Sequence, residues 1–184
     1  MELYFLRHGR SINAAEWSGE DESRPLTEEG KVAMVQEAAT LARRGLTPDV
    51  VVTSPLARAR QTAEIVAAGL QMGVPLEPDD RLRPGFGAKR MRKVLRDHPD
   101  AQRVMLVGHE PDFSAVIGKT TGARVELSKG ALARVDLADD ERRNGMLICL
   151  WQADDLSREA IAPPAGQSAP PRRPSRGTRQ DKAA

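Results

Sequence analysis

A single cysteine, Cys149, occurs in 184 residues, so no disulfide can form within the chain. Only three histidines are present, His8, His98 and His109, and their spacing is not that of a metal-binding set. No G-x-x-x-x-G-K-[ST] segment occurs, which excludes a P-loop nucleotide site. Long apolar runs are missing as well, because charges interrupt every candidate span. The amino terminus also lacks a basic region followed by an apolar stretch. The sequence therefore predicts neither a signal peptide nor a membrane-spanning helix, and it reads as a reduced, cytoplasmic chain.

Hydrophobic residues are also somewhat scarce, at 40%, and the shortage has a location. From Ser157 onward Pro, Ala, Arg, Gly and Ser dominate, with almost nothing able to anchor a core. We expect one domain over residues 1–156 and a disordered tail over 157–184. The tail holds six basic side chains against two acidic ones, a net of +4, whereas the whole chain is +2 and residues 1–156 sum to −2. The excess positive charge thus belongs to the tail, where its scatter predicts neither nucleic-acid nor membrane binding.

What remains is patterned. Leu3–Leu6, Val50–Thr53 and Val104–Val107 are short apolar runs rich in β-formers, each expected to be a buried strand. Helices are expected over 28–44, with Thr27 as N-cap and Val32, Val35, Ala39 and Ala42 as the apolar stripe, and over 57–72, 88–98 and 112–119. A short extended piece is expected at 74–76. Arg124–Leu127, Ala131–Leu137 and Met146–Gln152 read as three further strands, the last two joined by a polar turn at 139–145. Strand–helix alternation that ends in strands predicts an α/β three-layer sandwich with a mostly parallel central sheet and one antiparallel portion near the C-terminal end.

Each of the three strong strands ends in, or just before, a cationic or ionisable residue: Arg7 and His8, then Arg58 in SPLARARQTA, then His109. Parallel neighbours would place all four on one rim of the sheet, where open α/β sheets bind ligands. Two arginines offer charge-assisted donors shaped for phosphate oxygens. Two histidines offer a nucleophile and a further donor. The pattern is that of a dianion pocket with a nucleophile at its floor.

RHG at 7–9, DESRPLTEEG at 21–30, SPLARARQTA at 54–63, VGHEPDFSAVIG at 107–118 and LSKGALARVDL at 127–137 together make the chain resemble the histidine phosphatase superfamily, the phosphoglycerate-mutase-like group. Within it the chain is most similar to the short bacterial phosphohistidine phosphatases of the SixA type, in order over about residues 1–152. The resemblance implies a phosphoglycerate-mutase-like fold and hydrolysis through a phosphohistidine on His8, without metal or cofactor. Arg7, Arg58 and His109 would hold the phosphoryl oxygens, Gly9 would let the backbone approach them, and Ser11 and Arg24 are further phosphate-binding candidates. For Arg24 a salt bridge where the helix begins is an equal alternative. Asn13 falls one residue early for the mutases' asparagine, so that role is not carried over.

A proton donor is harder to find. Only 51 positions separate Arg58 from His109, leaving little room for the long segment that supplies a carboxylate in mutases. Asp21 is the first candidate, followed by Glu77, Asp79, Asp80 and Glu110. An imidazole leaving group needs less proton donation than an alkoxide, so the expected substrate is a phosphohistidine on a protein. The alternatives are a small phosphorylated molecule, such as a sugar phosphate or nucleotide, and a catalytically silent phosphate-binding module. Cys149 lies in an apolar strand without an arginine six residues later, which excludes a cysteine phosphatase. Arg60 reads as solvated and His98 as structural. The oligomeric state is not legible.

Overall fold

The structure, a computed structural model, describes residues 1–71, 73, 76–138 and 144–161. The strands are β1 (Glu2–Arg7), β2 (Val50–Thr53), β3 (Leu76–Pro78), β4 (Arg103–Gly108), β5 (Leu132–Leu137) and β6 (Gly145–Trp151). The helices are α1 (Glu28–Arg43), α2 (Ala57–Gly69), α3 (Ala88–Arg96), α4 (Asp112–Thr121) and α5 (Ala153–Ile161). One six-stranded sheet runs in the order β3-β2-β4-β1-β5-β6. The first four are mutually parallel, β5 is antiparallel to β1 and β6 antiparallel to β5. The expected α/β sandwich, with its antiparallel portion near the C-terminal end, is what forms.

Alternation along the strands divides the core into two layers. Leu3, Phe5, Val50, Val52, Val104 and Leu106 face α3 and α4, through Met91, Val94, Leu95, Phe113, Val116 and Ile117. Tyr4, Leu6, Val51, Met105 and Val107 face α1, α2 and α5, through Met34, Ala38, Leu41, Ala59, Ala63, Val66 and Leu156. The register pairs Arg7 with Gly108 and Thr53 with Val107, so β1, β2 and β4 end at one level. That shared level positions the site.

Several expectations need correction. The predicted stripe of α1 faces solvent: Val32 and Val35 are 59% and 58% exposed, and Ala39 and Ala42 are exposed too. The buried face is Gly30, Met34, Glu37, Ala38, Thr40 and Leu41. The Thr27 cap is present, its hydroxyl accepting from Gly30 N at 3.0 Å. Residues 124–127 form no strand. Their carbonyls serve side chains, Leu127 O accepting from Arg7 Nη1 and Glu126 O from Gln152 Nε2. Helix α5 crosses the expected boundary at 156/157. Residues 162–184 of the expected tail, 139–143 of the expected turn, and 74–75 lie outside the described residues. No described helix is long and apolar enough to cross a membrane.

Candidate active site

The ends of β1, β4 and β2 bring His8, His109 and Ser54 together. The two imidazoles lie with ring centroids 5.3 Å apart, and both residues are buried. His8 Nδ1 is 2.8 Å from Gly9 O. A carbonyl can only accept, so Nδ1 carries the proton and Nε2 keeps a free lone pair. Burial drives the His8 pKa down to about 3, against the Gly9 hydrogen bond, with His109, Arg58 and Arg7 lowering it further. His109 is lowered to about 4, again by burial first and then by Arg58. Both rings are therefore neutral at physiological pH. His109 Nε2 lies 2.9 Å from Ser54 Oγ.

Two arginines flank the rings, each partly tethered. Arg7 donates from Nη1 to Leu127 O at 2.6 Å. Arg58, on the first turn of α2, donates from Nη1 to Asp21 O at 2.9 Å and from Nη2 to Asp21 Oδ2 at 3.0 Å. The Nε–H of both arginines is buried with no hydrogen-bond partner. A buried charged donor left open costs several times what a paired one does. Two of them near a neutral imidazole are donors that could serve an anion with several oxygens.

Asp21, in a short 3-10 turn (Asp21–Ser23), also receives Arg24 Nε at 2.8 Å. Partial burial raises its pKa, but hydrogen bonds from Arg24 and Arg58 outweigh it and hold the carboxyl below its usual range. The carboxylate that the sequence offers as a proton donor is thus engaged by two arginines. Its geometry is that of a clamp on Arg58. Arg24 Nη2 also reaches Asp21 Oδ1, at 2.7 Å, and Nη1 donates to Ser11 Oγ and Ile12 O, at 2.9 and 2.7 Å, so Arg24 and Ser11 brace each other and the loop after Gly9.

The other acidic candidates are occupied elsewhere. Glu77 faces His98 at 3.7 Å, Asp79 holds Arg81, and Asp80 holds Arg83. Glu110 accepts from Ser114 N at 3.3 Å, where α4 begins. Burial raises its carboxyl above the usual range, against the Ser114 hydrogen bond and Arg7. Arg60 is exposed beside Glu64.

The loop bearing His8 is held by close packing. Gly9 N donates to Thr62 Oγ1 at 3.0 Å, and a Cβ on Gly9 would lie 2.7 Å from Met34 Cγ. Gly9 thus serves contact with α1 as well as the pocket. A Cβ on Gly30 would sit 2.1 Å from Arg10 O, so α1 meets the loop backbone directly. Behind the loop, a cavity of about 1050 Å³ is lined in part by Gly9, Ser11, Arg24, Glu37 and Lys129, but by neither histidine. Sequence reasoning missed Ser54, Thr62 and the Leu127 carbonyl. Thr62, one helical turn after Arg58, was within reach of the i,i+4 rule; a backbone carbonyl leaves no signal.

Residues 3–100 match the profile of the histidine phosphatase superfamily (branch 1). The chain belongs to this superfamily. As a histidine phosphatase it is 37% identical, over 72% of its length and 82% of the relative's, to an uncharacterized protein of Picosynechococcus sp.. It is 34% identical to the probable phosphoglycerate mutase GpmB of Cronobacter sakazakii, over 77% of this chain but 66% of GpmB. Among solved structures, the protein histidine phosphatase SixA complexed with tungstate superposes with a TM-score of 0.75. That match has 24% identity and covers 85% of this chain and 99% of SixA.

Proposed function

We propose that this histidine phosphatase hydrolyses phosphohistidine on a protein, through a phosphohistidine formed on His8 Nε2. The observation that carries the reading is the pair of open buried donors, Arg7 Nε and Arg58 Nε, beside a neutral imidazole whose Nε2 is free. In this reading Nε2 attacks phosphorus while the bond from phosphorus to the substrate's ring nitrogen breaks, and that nitrogen takes a proton from solvent. Arg7, Arg58 and His109 stabilise the charge on the phosphoryl oxygens. Water then attacks the phosphoenzyme, releasing phosphate and restoring His8. No metal ion enters the scheme.

Two points favour a P–N substrate. Asp21 is locked as an anion by two arginines, and an imidazole leaving group has little need of a strong acid. The match also takes in 99% of SixA and 85% of this chain, while it takes in only 66% of GpmB. One observation favours a second reading, a small-molecule phosphomonoesterase: Glu110, beside His109, has a carboxyl raised by burial and could protonate an alkoxide.

Side-by-side hydrolysis of a phosphohistidine protein and a panel of phosphomonoesters, with EDTA present and His8→Ala as control, separates the two. Preference for the P–N substrate supports the first reading. Preference for an ester, lost in Glu110→Gln, supports the second.

A further inference from the structure

Helix α3 reads AKRMRKVLR: five cations and no acidic residue in nine positions. Ala88, Met91, Val94 and Leu95 are buried. Lys89, Lys93 and Arg96 lie along the opposite face, with Arg92 beside them and Arg90 on the flank. Elsewhere arginines are matched to carboxylates, as in Arg81 with Asp79 and Asp97, Arg83 with Glu22 and Asp80, Arg103 with Asp49, and Arg134 with Glu2 and Asp136. Among the described residues none of the five α3 cations forms an ion pair or a side-chain hydrogen bond. Lys89 and Lys93, and Arg92 and Arg96, are like charges at i,i+4, an arrangement that disfavours the helix. Residues 1–156 carry a net −2, so this concentration is local.

The helix is also well placed. The segment leading into it is pinned to the His109 rim, since Asp112 Oδ2 accepts from Gly85 N at 2.7 Å and Phe86 N at 3.1 Å. Phe86 packs edge-on against Phe113 at 5.7 Å. On the other side Arg83 pairs with Glu22, next to the Asp21 that clamps Arg58. The amino end of α3 therefore opens at the mouth of the phosphate site.

We infer that the exposed face of α3 is a docking surface for an acidic face of the phosphorylated protein substrate, an inference that rests on the function proposed above. The surface suits a protein better than the other polyanions. It carries no aromatic on which bases could stack, and the exposed large apolar side chains are Val32, Val35, Met146 and Ile148, none of them on α3, so nothing there would insert into a lipid surface. Complementary charge would speed encounter and orient the partner with its phosphoryl group toward His8.

The test uses an acidic histidine-phosphotransfer protein, phosphorylated with phosphoramidate, and free phosphohistidine as the small substrate. Charge reversal (K89E/R90E/K93E/R96E) should raise KM for the phosphoprotein about tenfold or more, leaving kcat and the hydrolysis of free phosphohistidine within about twofold. The milder K89Q/K93Q guards against misfolding and should raise KM about threefold. Binding of the same phosphoprotein is titrated in a His8→Ala background, with and without the α3 changes, and so reports docking without turnover. Equal affinity with and without the changes overturns the inference, whatever the activity. Loss of affinity with no wild-type turnover of either P–N substrate supports docking and sinks the proposed function instead. A fluorescent 20-base-pair DNA duplex and phosphatidylserine vesicles complete the assay at about 0.15 M salt. If either depends on α3 while the phosphoprotein KM does not, the surface belongs to that polyanion and the inference fails.

Discussion

The two ends of the central sheet are built from the same strands but treat charge in opposite ways. At the end where β1 and β4 begin, Asp49, Arg103, Arg134, Glu2 and Asp136 answer one another. Asp49 Oδ2 accepts from Gln102 N and Arg103 N, Asp49 Oδ1 from Arg103 Nη2, and Arg134 bridges Glu2 and Asp136. At the end where they finish, Arg7 and Arg58 each keep a buried Nε–H open, and two imidazoles are held neutral by burial. Satisfied charge closes a surface, whereas open charge fixed in place by tethers on its other atoms prepares one for a ligand. Stability is distributed over one end and preorganisation is concentrated at the other.

The sharpest way to break this contrast is His8→Ala. Turnover should fall at least about 10³-fold, measured by single-turnover phosphate release. Arg58→Ala follows, with kcat reduced about 10²-fold. Arg58→Lys should not restore it, since a lysine has neither the Nη pair that Asp21 tethers nor an open Nε–H beside it.

Next comes a stability effect at the open end. His8 and His109 titrate near 3 and 4 when folded and near 6.5 when unfolded. Between these values the unfolded chain binds more protons, so stability is full above about pH 6.5 and falls as the pH drops. Each histidine should cost about 2 kcal/mol by pH 5. Urea unfolding at pH 7 and pH 5 should show His8→Gln and His109→Gln each losing that much less than wild type.

Glu37 gives the opposite sign. Buried beneath Gly130 without a partner for Oε2, its carboxyl is raised to about 8 by burial first and by Asp154 second. Here the folded chain binds the extra proton, so stability is present below about pH 4.5 and lost as the pH rises toward 8. Relative to wild type, Glu37→Gln should gain about 2 kcal/mol on passing from pH 6 to pH 8, read from the same unfolding curves. The smallest effect belongs to the closed end. Arg103→Ala should cost less than about 1 kcal/mol, because its ion pair is part-exposed, and should leave turnover unchanged.

The sequence disclosed the open end better than the rest. Continuous apolar runs are what strands buried on both faces require, so β1, β2 and β4 could be located, and their tips named Arg7, His8, Arg58 and His109. Helix α1 was misread because its inner face mixes Gly30 and Glu37 with Met34, Ala38 and Leu41. A glycine chosen for contact with Arg10 O and an unpaired carboxylate hide an apolar period, while Val32 and Val35 counterfeit one. The supposed strand at 124–127 failed for a related reason: its carbonyls were already committed to Arg7 and Gln152 side chains, and no composition records that. Asp21 was found as a residue but not as a clamp, since its function depends on two arginines 3 and 37 positions away.

The contact between His8 Nδ1 and the carbonyl of Gly9 has a consequence for the chemistry of labelling. An imidazole can be phosphorylated at either nitrogen, giving two regioisomers that differ in ³¹P chemical shift. With one nitrogen committed to its neighbour's backbone, only the tele isomer can accumulate on the enzyme, and its spectrum would hold a single phosphoramidate resonance. Under the proposed function, the backbone of a glycine would thereby decide the regiochemistry of the covalent intermediate on the other side of the ring.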